Sequence, residues 1–213
     1  LSAGHTLEDP DTIASIVSEW KEWARTAKDV GAQTRGVLSA LRDKTDEDAA
    51  RQASEDAHTR AGRSAGNGSL MRTGPVTLGY LDRSADELAS AAGRVAQLTH
   101  WESDNVDACV LWCLAIRHAI LTGELDVRAQ LPWVPAERRA RWEGFIDEAT
   151  AIGIHPRQFE SGNGWVVRAF QGALAAITGA TSLRDALERA VRGGGDTDTV
   201  AAIAGSLAGA AWG

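Results

Sequence analysis

SDNVDACVLWCLAIRHAIL, residues Ser103 to Leu121, is apolar on nearly every face of a helical wheel. A helix that is hydrophobic all round has to be buried all round, so this segment is read as a central helix with others packed about it. Asp107, Arg117 and His118 interrupt its longest apolar run, Val106 to Leu121, and that run reads as too short and too polar for a bilayer span of ~20 apolar residues. A buried central helix needs amphipathic neighbours, and the sequence supplies them on both sides. Asp9-Pro10 offers an N-cap followed by proline at the first helical position. Ile13, Ile16, Val17, Trp20, Trp23, Ala24 and Ala27 then recur at three- and four-residue spacings, which predicts a helix over 10–28. Further helices are predicted over 32–42, over 46–61 with Thr45 and Asp48 as a capping pair, and over 84–98, where Ser84 and Glu87 have capping-box spacing.

Downstream, Pro135 opens a helix to 149, followed by helices over 165–177, 182–191 and 199–212. The last carries Gly205 and Gly209 four apart, a small-residue face that would let another helix approach closely. Only 5 prolines and 1 tyrosine occur in the 213 residues; this balance favours helix and leaves few aromatic or β-branched strand candidates, which argues against an all-β fold. The expected fold is all-α, a single-domain multi-helix bundle over residues 1–213.

Charge narrows the function classes. The chain has 22 Lys and Arg against 29 Asp and Glu, and no basic run, so the electrostatic footprint of a nucleic-acid partner is missing. No membrane partner is expected, and no signal or transit segment is visible at the start. Cys109 and Cys113, at i and i+4 in the central helix, are read as packed and unbridged, which fits a reducing, cytoplasmic compartment. Met71 is the only methionine, and the sequence opens at Leu1.

Two loops interrupt the helices. In GGGDTDT, Gly193 to Thr199, three glycines permit a tight backbone turn, after which Asp196 and Asp198 flank Thr197 and Thr199 enters the next helix. Two carboxylates and a hydroxyl so close together form the all-oxygen cluster preferred by hard cations such as Mg²⁺ or Mn²⁺. The same string also reads as a glycine C-cap followed by an Asp or Thr N-cap. In SAGNGSLMRTGP, Ser64 to Pro75, three glycines with Asn67 and Ser69 expose backbone N–H groups suited to a phosphate; a plain glycine-rich turn is the alternative.

Taken together, GNGSLMRTGPV and GGDTDTVAAIAG, in this order in an alanine-rich helical protein, resemble the ADP-ribosylglycohydrolase family. LTHWESDNVDACVLWCLAIRHAILTGELD also looks like bacterial members, so the resemblance covers most of 31–213. It implies an all-α fold around a centre of two Mg²⁺ or Mn²⁺ ions that removes ADP-ribose from a modified protein side chain. By position it implies Asp196, Asp198 and Thr199 as metal ligands, with Asp196 and Asp198 in the catalytic role. Ser64, Gly66, Asn67, Gly68 and Ser69 would lie against the diphosphate and distal ribose, with Met71 close by. His100 would stand beside the substrate ribose and Trp165 would stack on adenine, although capping or surface placement for the histidine and core packing for the tryptophan are the alternatives.

The pattern also departs from the family. Relatives begin with a GxxxGDALG-type helix and a Thr-Asp-Asp-Thr string that supply the remaining metal ligands, and neither occurs here. Asp9-Pro10-Asp11-Thr12 precedes the helix that should lie downstream of that string, so it is rejected as the ligand set. The expectation is a chain that starts inside the family pattern, lacking the first helices and first metal-ligand motif, with a metal site completed by an associated N-terminal fragment. An ADP-ribose-binding or catalytically incomplete relative of the same fold is the alternative function.

Overall fold

A computed structural model describes residues 6–213. Its central element is the helix the sequence singles out, and the two faces of that helix serve two hydrophobic clusters. Eleven α-helices occur among the described residues, running α1 (Pro10–Thr26), α2 (Ala32–Ala40), α3 (Glu47–Ala61), α4 (Leu70–Thr73), α5 (Val76–Gly79), α6 (Ala85–Gln97), α7 (Ser103–Thr122), α8 (Ala136–Thr150), α9 (Val166–Thr178), α10 (Leu183–Arg192) and α11 (Thr197–Trp212). Val110, Cys113 and Leu114 of α7 face the N-terminal half, against Ile13, Val17, Leu88 and Leu98. Leu111, Trp112, Ala115 and Ala119 face the other way, against Trp142, Phe170, Ile203 and Leu207. The all-round apolar wheel thus divides into two stripes, each with its own partners.

Both cysteines are free and fully buried, so the i, i+4 pair packs as expected. At 20 residues α7 is long and apolar enough, by length and composition, to cross a membrane. The length argument against a span therefore does not hold, and what occupies this helix is the packing of α6, α9 and α11 around it.

The second half is tied together by aromatic and ionic contacts. Trp112 and Trp142 both meet Phe170 edge-on, with centroids at 5.1 and 5.2 Å, a geometry worth ~0.5–1.5 kcal/mol per pair beyond area burial. Arg138 and Arg141 of α8 each grip a buried carboxylate of α7 with two hydrogen bonds, Asp107 and Asp104 respectively. These pairs orient α8, and removing either partner would strand a buried charge.

The helix ends follow local chemistry. Asp9 caps α1 through a 3.0 Å bond from the Asp11 N–H, with Pro10 at the first position, and the Ser84–Glu87 capping box is complete. At α3 the cap is Asp46, which accepts from the Ala49 N–H at 2.9 Å, and not the Thr45–Asp48 pair. α11 starts two residues earlier than the periodicity suggests, at Thr197. The segment expected as a loop over 62–77 contains the single-turn helix α4 and the start of α5, which runs on to Gly79, and 3₁₀ turns occur at Arg128–Trp133 and Pro156–Phe159; elements this short have no periodicity to read. The small-residue face of α11 acts at one glycine only: a Cβ on Gly205 would stand 3.0 Å from Leu187, whereas one on Gly209 meets nothing within 4 Å.

Candidate functional site

The glycine turn between α10 and α11 aims the carboxylates. Gly194 and Gly195 both adopt left-handed φ, 86° and 68°, and a Cβ on Gly195 would stand 2.6 Å from the Asn163 amide. Only glycine meets both demands. The turn makes Asp196 the N-cap residue of α11, but its side chain makes no capping bond. Its Oδ2 instead accepts from Asn67 Nδ2 at 2.7 Å. The plain N-cap reading of Asp196 therefore fails at the level of the side chain, which is turned away from the helix it starts.

Asn67 belongs to a Gly-Asn-Gly string at 66–68, and the same three residues recur at 162–164. The fold lays the two strings side by side as a single antiparallel bridge between Gly66 and Trp165. Asn67 N–H donates to Gly164 O at 2.9 Å, and Val166 N–H to Ala65 O at 2.8 Å. Each asparagine then grips the carboxylate turn. Asn67 holds the Asp196 side chain and the Asn163 carbonyl, while Asn163 Oδ1 accepts from the Asp196 N–H and its Nδ2 donates to Gly194 O, both at 3.0 Å. From beneath, the fully buried Asn105 of α7 donates to Gly66 O and Ser69 Oγ at 2.7 Å.

These segments line a cleft of about 630 Å³ together with residues of α1, α2 and the turn between them. Gly66, Asn67, Gly68, Met71, His100, Asp196, Asp198 and Thr199, all predicted from sequence, line it together. Asp198 is exposed, Asp196 half-buried and Thr199 buried, with the Thr199 hydroxyl 3.8 Å from Met71 Sδ. His100 is buried with its ring under the loop. A Cβ on Gly68 would lie 3.2 Å from His100 Cε1 and Nε2, and Nδ1 sits 2.7 Å from Thr99 Oγ1. Burial, reinforced by the Arg72 charge, holds the imidazole well below the usual histidine pKa, so it is neutral at pH 7.

Three of the predicted residues lie outside the cleft lining. Ser64 is buried against His58, Oγ to Nδ1 at 2.8 Å, and its N–H donates to Glu102 at 2.7 Å. Glu102 approaches that same Nδ1, so the trio lacks the two-nitrogen relay of a catalytic triad. Ser69 is fully buried under Asn105. Trp165 turns its ring edge-on to Phe145, centroids 6.4 Å apart. Successive side chains alternate along an extended segment, and it is Gly164 that faces the cleft.

Asp9, Asp11 and Thr12 line no part of the cleft, in keeping with their role at the start of α1. The lining contributed by Trp20, Trp23, Gln33 and Arg72 was not anticipated. Nor was Asn163, although the repeated Gly-Asn-Gly string was a readable signal for it.

Residues 1–213 match the family description ADP-ribosylglycohydrolase. The chain belongs to this family. It is 31% identical over 149 residues to the ADP-ribosylarginine hydrolase Tri1 of Pseudomonas putida (strain GB-1), a match that covers 70% of this chain and 39% of the relative. Among solved structures it resembles one titled ADP-ribosylglycohydrolase-related protein complex, with a TM-score of 0.63 and 27% identity over 96% of this chain and 64% of that one. The chain thus spans about two-fifths of the first relative and under two-thirds of the second. The ADP-ribosylglycohydrolase fold accounts for the helical architecture, and the asparagine clamp describes how this member holds its carboxylate turn.

The oxygen donors of Asp196, Asp198 and Thr199 suit a hard divalent cation that keeps several waters. Among the described residues no group of three or more His, Cys, Asp or Glu side chains gathers as a metal cluster.

Proposed function

We propose that this chain hydrolyses the glycosidic bond between ADP-ribose and a protein side chain, with the ribose attached to that side chain held at Asp196 and Asp198. The observation that carries the reading is the bond from Asn67 Nδ2 to Asp196 Oδ2, 2.7 Å long and joining residues 129 apart in sequence. It unites the glycine-rich loop and the carboxylate turn in one cleft, whose volume falls within the ~300–1,000 Å³ typical of small-molecule sites.

Asp196, Asp198 and Thr199 would hold one Mg²⁺ or Mn²⁺ ion, which supplies positive charge for orienting the ribose hydroxyls. The protein groups divide the remaining work. Asp196 is tied at Oδ2 and fixed at its N–H, which suits an orienting carboxylate. Asp198, exposed in the cleft, would give one oxygen to the ion and use the other to take a proton from water adding to the anomeric carbon. As that C–O bond forms, the bond to the side-chain atom breaks, its electron pair leaves with the acceptor, and the acceptor takes the proton that Asp198 removed from the water. The glycine-rich loop anchors the ligand away from the reacting bond, so remote binding energy orients the sugar. His100, neutral and buried, supports the loop from below.

Arginine is the acceptor to test first, since the P. putida relative is named for it. Release of ADP-ribose from an ADP-ribosyl-arginine peptide, with Mg²⁺ or Mn²⁺ present, is compared between wild type and Asp198→Ala. Asp198 is exposed, so the variant keeps its helical circular dichroism while turnover drops by about 10²-fold or more, the scale for loss of a positioned base. Equal turnover by the two proteins would sink the assignment. The small number of gathered carboxylates favours a second reading, ADP-ribose binding without cleavage, which calorimetry with ADP-ribose on inactive wild type would reveal.

A further inference from the structure

Beside the cleft, α1 and α2 enclose a second groove of about 660 Å³. Its charged lining is Lys21, Arg25, Arg35 and Arg42 against Glu22 and Asp43. Four cations thus face two carboxylates, in a chain whose 29 acidic residues outnumber its 22 basic ones. Part of this charge is already engaged. Arg25 pairs with Glu22 at 3.1 Å, and Lys21 Nζ donates to the carbonyls of Arg42 and Lys44 at 2.6 and 3.0 Å. Arg35 and Arg42 are exposed, and neither forms an ion pair with Asp43 or with any other Asp or Glu of the described residues.

Backbone conformation singles out Arg42. Among the described residues it alone, glycines aside, has a positive φ, 51°. It follows Leu41, the C-cap of α2, at the position where glycine is the usual residue because a Cβ is strained there. The two bonds from Lys21 hold this turn through backbone carbonyls, so they would hold it equally with glycine at 42. The arginine side chain therefore adds nothing to the turn except a guanidinium. That group stands where the groove meets a hollow beside α3, which Lys44 and Arg60 line with Asp56, and Arg42 and Asp43 line both. Strain kept for the sake of an unpaired surface charge points to a use for the charge.

Adjacent residues of the same two helices line the cleft, Trp20 and Trp23 from α1 and Gln33 and Thr34 from α2. Asp29, in the turn between them, lines the cleft and not the groove. We infer that the groove docks an acidic segment of the ADP-ribosylated protein, whose carboxylates pair with Arg35 and Arg42 while its modified side chain enters the cleft. This rests on the reading of the cleft as an ADP-ribosyl hydrolase site and extends it to the protein part of the substrate. A guanidinium fork matches a carboxylate with two parallel hydrogen bonds. Glu22 and Asp43, set among the cations, break the continuous positive track that a phosphate backbone needs. Exposed charge of this kind selects a partner and speeds its arrival more than it tightens the complex.

The test uses the full chain and fluorescent peptides with a central arginine flanked by glutamates or, in the control, by glutamines, with binding read by anisotropy. At low salt the glutamate peptide binds about fivefold or more tighter than the glutamine peptide, the combined effect of two surface ion pairs, and the difference disappears in ~0.5 M salt. The double variant Arg35→Gln/Arg42→Gly loses the preference. It keeps the wild-type affinity for ADP-ribose and melts no lower than wild type, because both side chains are exposed and glycine suits the turn. With ADP-ribose on the arginine, the glutamate peptide has the lower KM by the same factor and an unchanged kcat. Equal binding of the two peptides by wild type, an undiminished preference in the double variant, or equally tight binding of a single-stranded oligonucleotide of the same charge overturns this inference alone. A glutamate preference without release of ADP-ribose from either modified peptide overturns the proposed function and, with it, the assignment of the groove to a substrate.

Discussion

Asn163→Ala tests whether one amide holds the carboxylate turn in place. The side chain is buried, and it makes two hydrogen bonds that nothing else replaces: from the Asp196 N–H to Oδ1 and from Nδ2 to Gly194 O, each 3.0 Å. Truncation leaves a backbone donor and a backbone acceptor in part-buried positions. At ~1–2 kcal/mol for each orphaned group, toward the lower half of the usual range, the loss is about 2–4 kcal/mol. For a domain of this size that corresponds to a fall of about 4–16 °C in the unfolding midpoint. The turn also loses the contact that excludes any side chain at Gly195, so Asp196 is less firmly aimed and ADP-ribose affinity falls with stability. Thermal unfolding followed by far-UV circular dichroism, with and without ADP-ribose, measures both. Asn163→Asp separates the two bonds, because it keeps an acceptor for the Asp196 N–H, loses the donor to Gly194 and places a second negative charge beside Asp196. If Asn163→Ala melts within about 2 °C of wild type, less than 1 kcal/mol has been lost and the clamp does not hold the turn.

Gly68→Ala places a methyl 3.2 Å from His100, whose ring is held at Nδ1 by Thr99; the loop has to yield, and weaker ADP-ribose binding by calorimetry is expected with little change in helix content. The His100 pKa is depressed in the folded state by burial and by Arg72, so below the unfolded value of about 6.5 the unfolded chain takes up a proton that the folded chain refuses. Wild type should therefore lose stability as the pH falls from 6.5 toward 5, by up to ~1.4 kcal/mol per pH unit until the folded pKa is reached. Chemical denaturation across that window should show His100→Gln without that slope. Gly144 sits exposed within α8, and a Cβ there meets nothing within 4 Å. Gly144→Ala should raise the denaturation free energy by ~0.5–1 kcal/mol, from helix propensity alone.

Local information was enough for the helices and for the direction of the fold. Hydrophobic spacing and side-chain caps acting within a few residues define α1 and α6, and α7, which has no side-chain cap at its start, is marked by its all-round apolar run. The glycine turn at 193–195 and the paired carboxylates after it were legible for the same reason, as was the burial of Cys109 and Cys113. What the string GGGDTDT cannot state is where the Asp196 side chain goes, because an N-cap bond and a cleft-facing carboxylate are equally available to an isolated helix start. That choice is decided by Asn67 and Asn163, brought from 129 and 33 residues away.

The part of the lining that α1 contributes was hidden for a related reason. Trp20 and Trp23 fit an amphipathic stripe, and helical spacing alone assigns such residues to the core; only the packing of α1 across the loop leaves Trp23 half-open and puts Trp20 beneath Arg72. Trp165 shows the reverse, with the alternation of one extended residue turning it to Phe145. The all-α class, the position of α7 as an apolar helix and the chemistry of two short loops follow from residue order alone, because helical periodicity and turn chemistry act within a few residues. Tertiary structure alone decided which residues share the cleft and which carboxylate is held, because those contacts join segments that no local spacing relates.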